Sequence, residues 1–360
     1  MRVGAFVLGA QFPGQGQGEA LERAVSTAEA AEEAGLADVW LAEHHFVSYG
    51  VCPSAVTLAA LLLGRTRHIG VGTAVSVLPN AHPVTLGEQT ALLHLLSQGR
   101  FTLGVGRGGP WVDLEVFGGG LKAFEEGFPE ALDLLLRWLR EPRVGADGER
   151  YRFREVQVVP RPDAAGPDAG FAADGPARGA DGGPGAGPGV VVACTSPGTV
   201  RLAAERLLPM LLGMHCGDED KADMTRLWRR TALEAGHPPE VVEAAAGRHV
   251  SAGVVQVGDS FEEARRLLTK TMPGWLREGL GQHVTVDGRP RPMRDPNGYT
   301  ELLCELHPVG TPRLCAERLA ATAERTGIER FALLVEGTGD RDATLRNVHR
   351  LAGEVLPLLG

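Results

Sequence analysis

The five cysteines of this 360-residue chain, Cys52, Cys194, Cys216, Cys304 and Cys315, include no CxxC pair and form no metal-ligand cluster in the sequence. An odd, scattered set points to reduced thiols in a cytoplasmic protein. A basic surplus is missing too: 36 Lys and Arg face 45 Asp and Glu, for a net charge of −9. That argues against a protein that grips nucleic acid, because phosphate backbones demand a basic surface. Long apolar runs are lacking as well. The N-terminal MRVGAFVLGAQFPGQ has an apolar run of about seven residues, too short to span a membrane, and no small-residue cleavage site. It reads as a first strand. What the chain does have is 43% hydrophobic residues, enough to bury a sizeable core.

Short apolar runs alternate with amphipathic stretches. Eight read as strands: VGAFVLG, DVWLAEH, HIGVGTAVSV, RFTLGVG, GVVVACT, LPMLLGM, HVSAGVVQV and ERFALLVEG. Helical stretches separate most of them, among them EALERAVSTAEAAEEAG, PSAVTLAALLLGRT and PVTLGEQTALLHLLSQG. This order predicts one parallel α/β domain over residues 1–360. Eight units suit a closed (β/α)8 barrel, with an open doubly wound sheet as the alternative that periodicity leaves standing. The helix PVTLGEQTALLHLLSQG carries Leu86, Leu92, Leu93, Leu95 and Leu96 around much of its circumference. Strands need only one such face, so the excess predicts a second packing partner.

Two segments break the rhythm. Residues 163–189 hold nine glycines, four prolines and one large apolar residue, Phe171. Such a composition cannot order itself by burial and reads as a flexible insertion within the domain. Residues 272–303 are too long and too mixed for an ordinary connection. Long loops in compact domains are commonly active-site lids, and that is the expectation here.

Three stretches carry chemistry. WLAEHHF runs an apolar strand into Glu43, His44 and His45. Alternation puts His44 on the face of Trp40 and Ala42, and His45 on the opposite one. Adjacent histidines on a strand cannot both enter a barrel lumen, so no metal site is expected. The carboxyl end of a barrel strand is where catalytic side chains sit. GVGRGG, residues 104–109, follows a strand but opens no helix, so it fails as a dinucleotide fingerprint. It reads instead as a glycine turn presenting Arg107, whose planar fork suits phosphate. In ACTSPGTVRLAAERL, Ser196 stands at an N-cap and Pro197 at the first helical position. That helix start offers amides to an anion, with hydroxyls from Thr195, Ser196 and Thr199.

Together these stretches resemble the bacterial luciferase-like flavin monooxygenase family, in order and approximate spacing. VWLAEHHF, VGTAVSVLPNAHPVTLGEQTALLHLLSQGRFTLGVGRG and TSPGT carry the resemblance, with ERFALLVEG and TLRNVHRLAGEVLP near the end. The resemblance implies a (β/α)8 barrel using reduced FMN, delivered by a separate flavin reductase, with dioxygen as co-substrate. One oxygen atom would pass to a small organic substrate, such as a secondary metabolite. It implies that Arg107, Thr195, Ser196 and Thr199 hold the flavin phosphate, and that His44, with His45 close by, serves the ring. It also implies a cis bond near Ala74–Val75 and a homodimer. Luciferases proper carry a reactive cysteine just before the arginine; Gly106 stands there in this chain, which argues against light emission. The rival readings are a deazaflavin-dependent hydride-transfer enzyme of the same superfamily, a non-catalytic flavin-binding protein and, more distantly, a metal-dependent barrel hydrolase.

Overall fold

A computed structural model describes residues 1–162, 187–291 and 294–360. Residues 163–186, most of the segment read as a flexible insertion, therefore lie outside the described residues. Eight strands form one sheet: β1 (Arg2–Val7), β2 (Asp38–Leu41), β3 (Gly70–Thr73), β4 (Phe101–Gly106), β5 (Gly189–Cys194), β6 (Met210–Leu212), β7 (Val250–Val254) and β8 (Arg330–Leu334). Each pairs in parallel with its successor, and β8 pairs with β1 through Arg2↔Arg330 to Phe6↔Leu334. The sheet is closed. The barrel is the (β/α)8 architecture, and the open alternative is ruled out by the β8–β1 ladder.

The strands read as near-continuous apolar runs because both of their faces are buried. Inward, Phe6, Leu8, Trp40, Val191, Leu211, Val254 and Leu334 pack into one cluster. Outward, Val7, Leu41, Leu103, Val105, Val192, Leu212 and Leu333 pack beneath the helices. Side-chain caps start the helices cleanly: Ser54, Ser196, Ser260 and Asp340 each accept from a backbone amide of the first turn. Among the described residues, no helix is long and apolar enough to cross a membrane.

Two expectations need correction. HIGVGTAVSV is not one strand; it breaks after Thr73 and resumes as Ser76–Val77. Residues 272–303 are not one loop. Phe261–Gly281 is a continuous helix that includes Pro273, and a second helix spans Pro296–Leu306. Met272, Trp275, Leu276 and Gly279 are buried there at i, i+3, i+4 and i+7, with Pro273 beside them, so the stretch has helical periodicity after all. Asp295 caps the second helix by accepting from the Asn297 and Gly298 amides. Between the two helices, the described residues 282–291, 294 and 295 are irregular.

Candidate active site

The residues singled out in the sequence emerge at one end of the barrel, just past the carboxyl ends of β2, β3, β4 and β5. β2 ends at Leu41, so both histidines lie in the segment beyond it, and there they part. The His44 ring meets Tyr49 edge-on, with centroids 5.0 Å apart. Tyr49 in turn stacks on Trp275 at 4.7 Å, and the Trp275 indole Nε1–H donates to the Tyr49 carbonyl at 3.0 Å. Gly50 closes against the same ring: a Cβ there would lie 2.8 Å from His44 Nδ1. That nitrogen is buried without a hydrogen-bond partner. Burial pushes the His44 pKa down to about 3, with His283 and His45 adding to the effect, so the imidazole is neutral at physiological pH. His45 turns instead to Phe117, 4.9 Å away and edge-on. Its Nε2 lies 3.7 Å from Glu43 Oε1, too far for a hydrogen bond.

Glu43 has a different task from its neighbours. Its Oε1 accepts from the Val77 amide at 3.0 Å and its Oε2 from the Ala55 amide at 3.2 Å. One carboxylate thereby ties the end of β2 to the helix Ala55–Arg65 and to the strand that resumes after β3. Between β3 and that strand lies a cis peptide bond at Ala74–Val75, at the position expected. Around it, side chains replace lost ladder bonds. Thr73 Oγ1 donates to the Gly104 carbonyl at 2.7 Å and accepts from the Gly104 amide at 2.9 Å. A Cβ at Gly104 would sit 1.9 Å from the Thr73 carbonyl oxygen, so glycine is needed for this approach. Val75 fills the space in front of Gly106, where a Cβ would come within 2.5 Å of Val75 Cγ2. The nearby Ser76 hydroxyl is buried and unbonded.

Strands β4 and β5 are neighbours in register from Thr102↔Gly189 to Val105↔Val192, so Arg107 and Thr195 leave the barrel side by side. The Arg107 guanidinium carbon stands 4.2 Å over the Phe124 ring. No salt bridge among the described residues engages it, and none of its hydrogen bonds reaches Thr195, Ser196 or Thr199. It lines a cavity of about 600 Å³ with Pro110, Trp111, Phe124, Asp287 and Arg289. On the β5 side, Ser196 Oγ accepts from the Thr199 amide at 3.4 Å and lies 3.1 Å from Thr199 Oγ1. Thr195 is exposed, and nothing stands within reach of a Gly198 Cβ except Ser196 Oγ at 4.0 Å. Pro197 has no amide hydrogen and the Thr199 and Val200 amides bond Ser196, so the open start offers an anion the Gly198 amide together with the hydroxyls.

The connection after the helix Phe261–Gly281 folds back over the Arg107 turn. Thr285 bridges Trp111, the Val112 amide donates to the Val284 carbonyl at 2.9 Å, and the Val286 amide donates to the Pro110 carbonyl at 2.9 Å. His283 lies against the Trp111 ring at 4.6 Å. A few backbone bonds and one ring contact hold this flap. Phe124, Tyr49 and the double acceptance by Glu43 had no sequence signal, since their partners lie far along the chain or on irregular loops.

The family model described as luciferase-like monooxygenase matches residues 1–330. The chain belongs to the luciferase-like monooxygenase family. Among curated proteins it is similar to the alkanal monooxygenase alpha chain of the Kryptophanaron alfredi symbiont, at 29% identity over 100% of this chain and 98% of that one. Among solved structures it shares its fold with monooxygenase RslO1 from Streptomyces bottropensis, at TM-score 0.81 and 22% identity over all of both chains. The oxygenating constituent of 3,6-diketocamphane monooxygenase from Pseudomonas putida, solved with FMN, follows at TM-score 0.74 and 21% identity over 99% and 98%. An F420-dependent secondary alcohol dehydrogenase has the same barrel, at TM-score 0.70 and 16% identity over 100% and 99%. Family membership makes this a flavin-dependent monooxygenase in type. The barrel alone is shared by FMN and F420 proteins.

Proposed function

We propose that the chain binds reduced FMN, delivered by a separate reductase, and inserts one oxygen atom from dioxygen into a small organic substrate. The observation that supports this most is the meeting, at one barrel mouth, of an arginine that no salt bridge engages among the described residues and an open helix start. A neutral histidine and the cis-linked Ala74–Val75 stand at the same mouth. This donor set fits a phosphate monoester carrying a flat ring. Reduced FMN held there supplies the activation of dioxygen. Arg107 offers a planar fork, and the Ser196–Thr199 turn offers the Gly198 amide and hydroxyls, to the phosphate. Ala74 and Val75 present backbone and small side chains to the ring. Neutral His44 accepts a proton at one ring nitrogen while holding one at the other, which suits a proton relay beside the reacting atoms. His45 stands behind it, against Glu43 and Phe117. The flap over Arg107 keeps water from the site.

The test is a titration of the purified protein with FMN, reduced FMN and a reduced deazaflavin, followed by oxygen uptake. Alkanals and 3,6-diketocamphane, the compounds in the names of its relatives, are the first substrates to try. Tight binding of reduced FMN with product formed from dioxygen supports the proposal. Preference for the deazaflavin, with hydride transfer and no oxygen consumed, replaces it with the F420 reading. Flavin binding without turnover on any substrate supports a non-catalytic role.

The flap makes its own prediction. A broad-specificity protease should cut within 282–291 in the flavin-free protein, and FMN should slow that cleavage. Cleavage in the Gly- and Pro-rich residues 163–189 should not respond to FMN. Equal rates at 282–291 with and without FMN would remove the flap from the mechanism.

A homodimer belongs to the same proposal. On the helix Pro83–Leu96, Leu92 and Leu96 are 49% and 74% exposed, and Leu61 on the preceding helix is 48% exposed. Leu92 and Leu96 belong to the apolar excess noted in the sequence, Leu61 extends it onto the adjacent helix, and a second copy would cover all three. Light scattering should give a dimer mass, with Leu96→Glu shifting it toward monomer. A wild-type monomer at micromolar concentration would end this reading.

A further inference from the structure

We propose that the amino-terminal end of the barrel is a second ligand site, which takes a small monocarboxylate with a flat apolar body. A cavity of about 440 Å³ opens there, lined at the strand starts by Arg2, Asp38, Gly70, Gly189, Val250 and Arg330. These positions belong to one level of the barrel, as Arg2↔Arg330, Val250↔Arg330 and Asp38↔Gly70 are in register. The flavin-site residues lie at the opposite ends of the strands.

Barrel interiors are normally filled by layers of bulky side chains. At this end glycines stand in the layer instead. A Cβ at Gly4 would fall 1.9 Å from Asp38 Oδ1, and one at Gly72 would fall 2.6 Å from the Trp40 ring. The space that side chains at these positions would fill goes to Asp38 and Trp40. Asp38 Oδ1 accepts from the Trp40 indole Nε1–H at 2.7 Å, which fixes the indole as a wall. Trp40, Val191 and Val250 belong to the inner apolar cluster and also line this cavity. The depth of the site is therefore flat and apolar.

Its rim is cationic. Arg2, Arg248 and Arg330 line it, and the acids beside them are Asp38 and Glu32. Glu32 Oε1 already accepts from the amides of Arg67, His68 and Ile69. Arg100, also in the lining, is consumed by the carbonyls of Leu63, Thr66 and Ile69 and by Thr66 Oγ1. Arg248 is different: its Nε is buried with no hydrogen-bond partner. Burial holds the Arg248 pKa below its ordinary value, and burial together with Arg2 holds Arg330 down at about 10. Arg330 Nε donates to the Gly247 carbonyl at 3.3 Å, and Arg2 and Arg330 both act on the Asp38 carboxyl. Arg248 Nε is the buried rim donor that no described residue meets, and its guanidinium fork matches a carboxylate. One unmet guanidinium donor above an apolar floor suits a monoanion better than a phosphate dianion. The indole beyond favours a planar tail.

Benzoate is the probe, with inorganic phosphate as the comparison, titrated calorimetrically into the full chain with and without saturating FMN. Saturable benzoate binding that FMN leaves unchanged, with phosphate weaker, is the expected result. Arg248→Leu should weaken benzoate at least about tenfold, the loss of one charge-assisted hydrogen bond. Thr102→Phe, which fills the cavity from β4, should abolish benzoate binding while a thermal melt reports that the barrel is intact. Absence of benzoate binding by wild type in the low millimolar range overturns the proposal. Displacement of benzoate by FMN does too, because it places the carboxylate at the other mouth, and so does benzoate binding that Thr102→Phe leaves unaltered in a folded protein. The flavin reading stands or falls separately, since none of these outcomes depends on turnover.

Discussion

His44→Ala should bind FMN and fold as wild type does, yet lose coupled oxygenation by at least about a hundredfold, the usual contribution of a positioned general acid or base. Reduced flavin should still react with dioxygen, releasing peroxide in place of product. The expectation follows from an imidazole held neutral by burial, with pKa about 3, in the segment that follows β2 at the barrel mouth. His45→Ala should behave differently. That ring packs on Phe117 and beside Glu43, whose carboxylate ties three segments together, so its loss should lower the melting temperature more than the coupling ratio. The measurement is product formed per reduced flavin oxidised, alongside a thermal melt of each variant. If His44→Ala couples as well as wild type, the proton-transfer role is wrong and the ring is a packing element for Tyr49.

Arg107→Ala should weaken FMN binding by roughly 1.5–3 kcal/mol, the range for hydrogen bonds to a charged group, or about ten- to a hundredfold. Riboflavin, which lacks the phosphate, should bind wild type poorly and lose little more on substitution. The comparison separates phosphate recognition from general damage to the pocket, because Arg107 also covers the Phe124 ring. Loss of packing alone would weaken FMN and riboflavin equally. Equal affinity of the variant and wild type for FMN would remove Arg107 from the site.

Some of this was legible because it is written in local pattern. GVVVAC and RFALL show their burial on both faces as unbroken apolar runs, and eight such runs separated by helices describe a parallel barrel. Ser196 and Pro197 announced a helix start by capping chemistry alone, and the start is where they put it. His44 and His45 do meet different partners, but both lie past the end of β2, so the loop and not a strand period sets their directions. Where local pattern misled, the cause was equally local. Pro273 and the glycines at 274, 279 and 281 suggested a loop across 272–303. Packing of Met272, Trp275 and Leu276 into the barrel's inner cluster overrode those weak helix formers.

The sequence by itself determined the alternation of strands and helices, the caps, and which residues would stand at the strand ends. Tertiary structure alone decided what those residues meet. Glu43 bonds amides 12 and 34 residues away, and Phe124 slides beneath Arg107. Glycines on β1 and β3 make room for Asp38 and Trp40 at the barrel's far end. Such pairings join segments whose separation along the chain carries no period, and barrel closure is what brings them together. A periodic pattern reports which face of an element is buried; it holds no information about the partner that buries it.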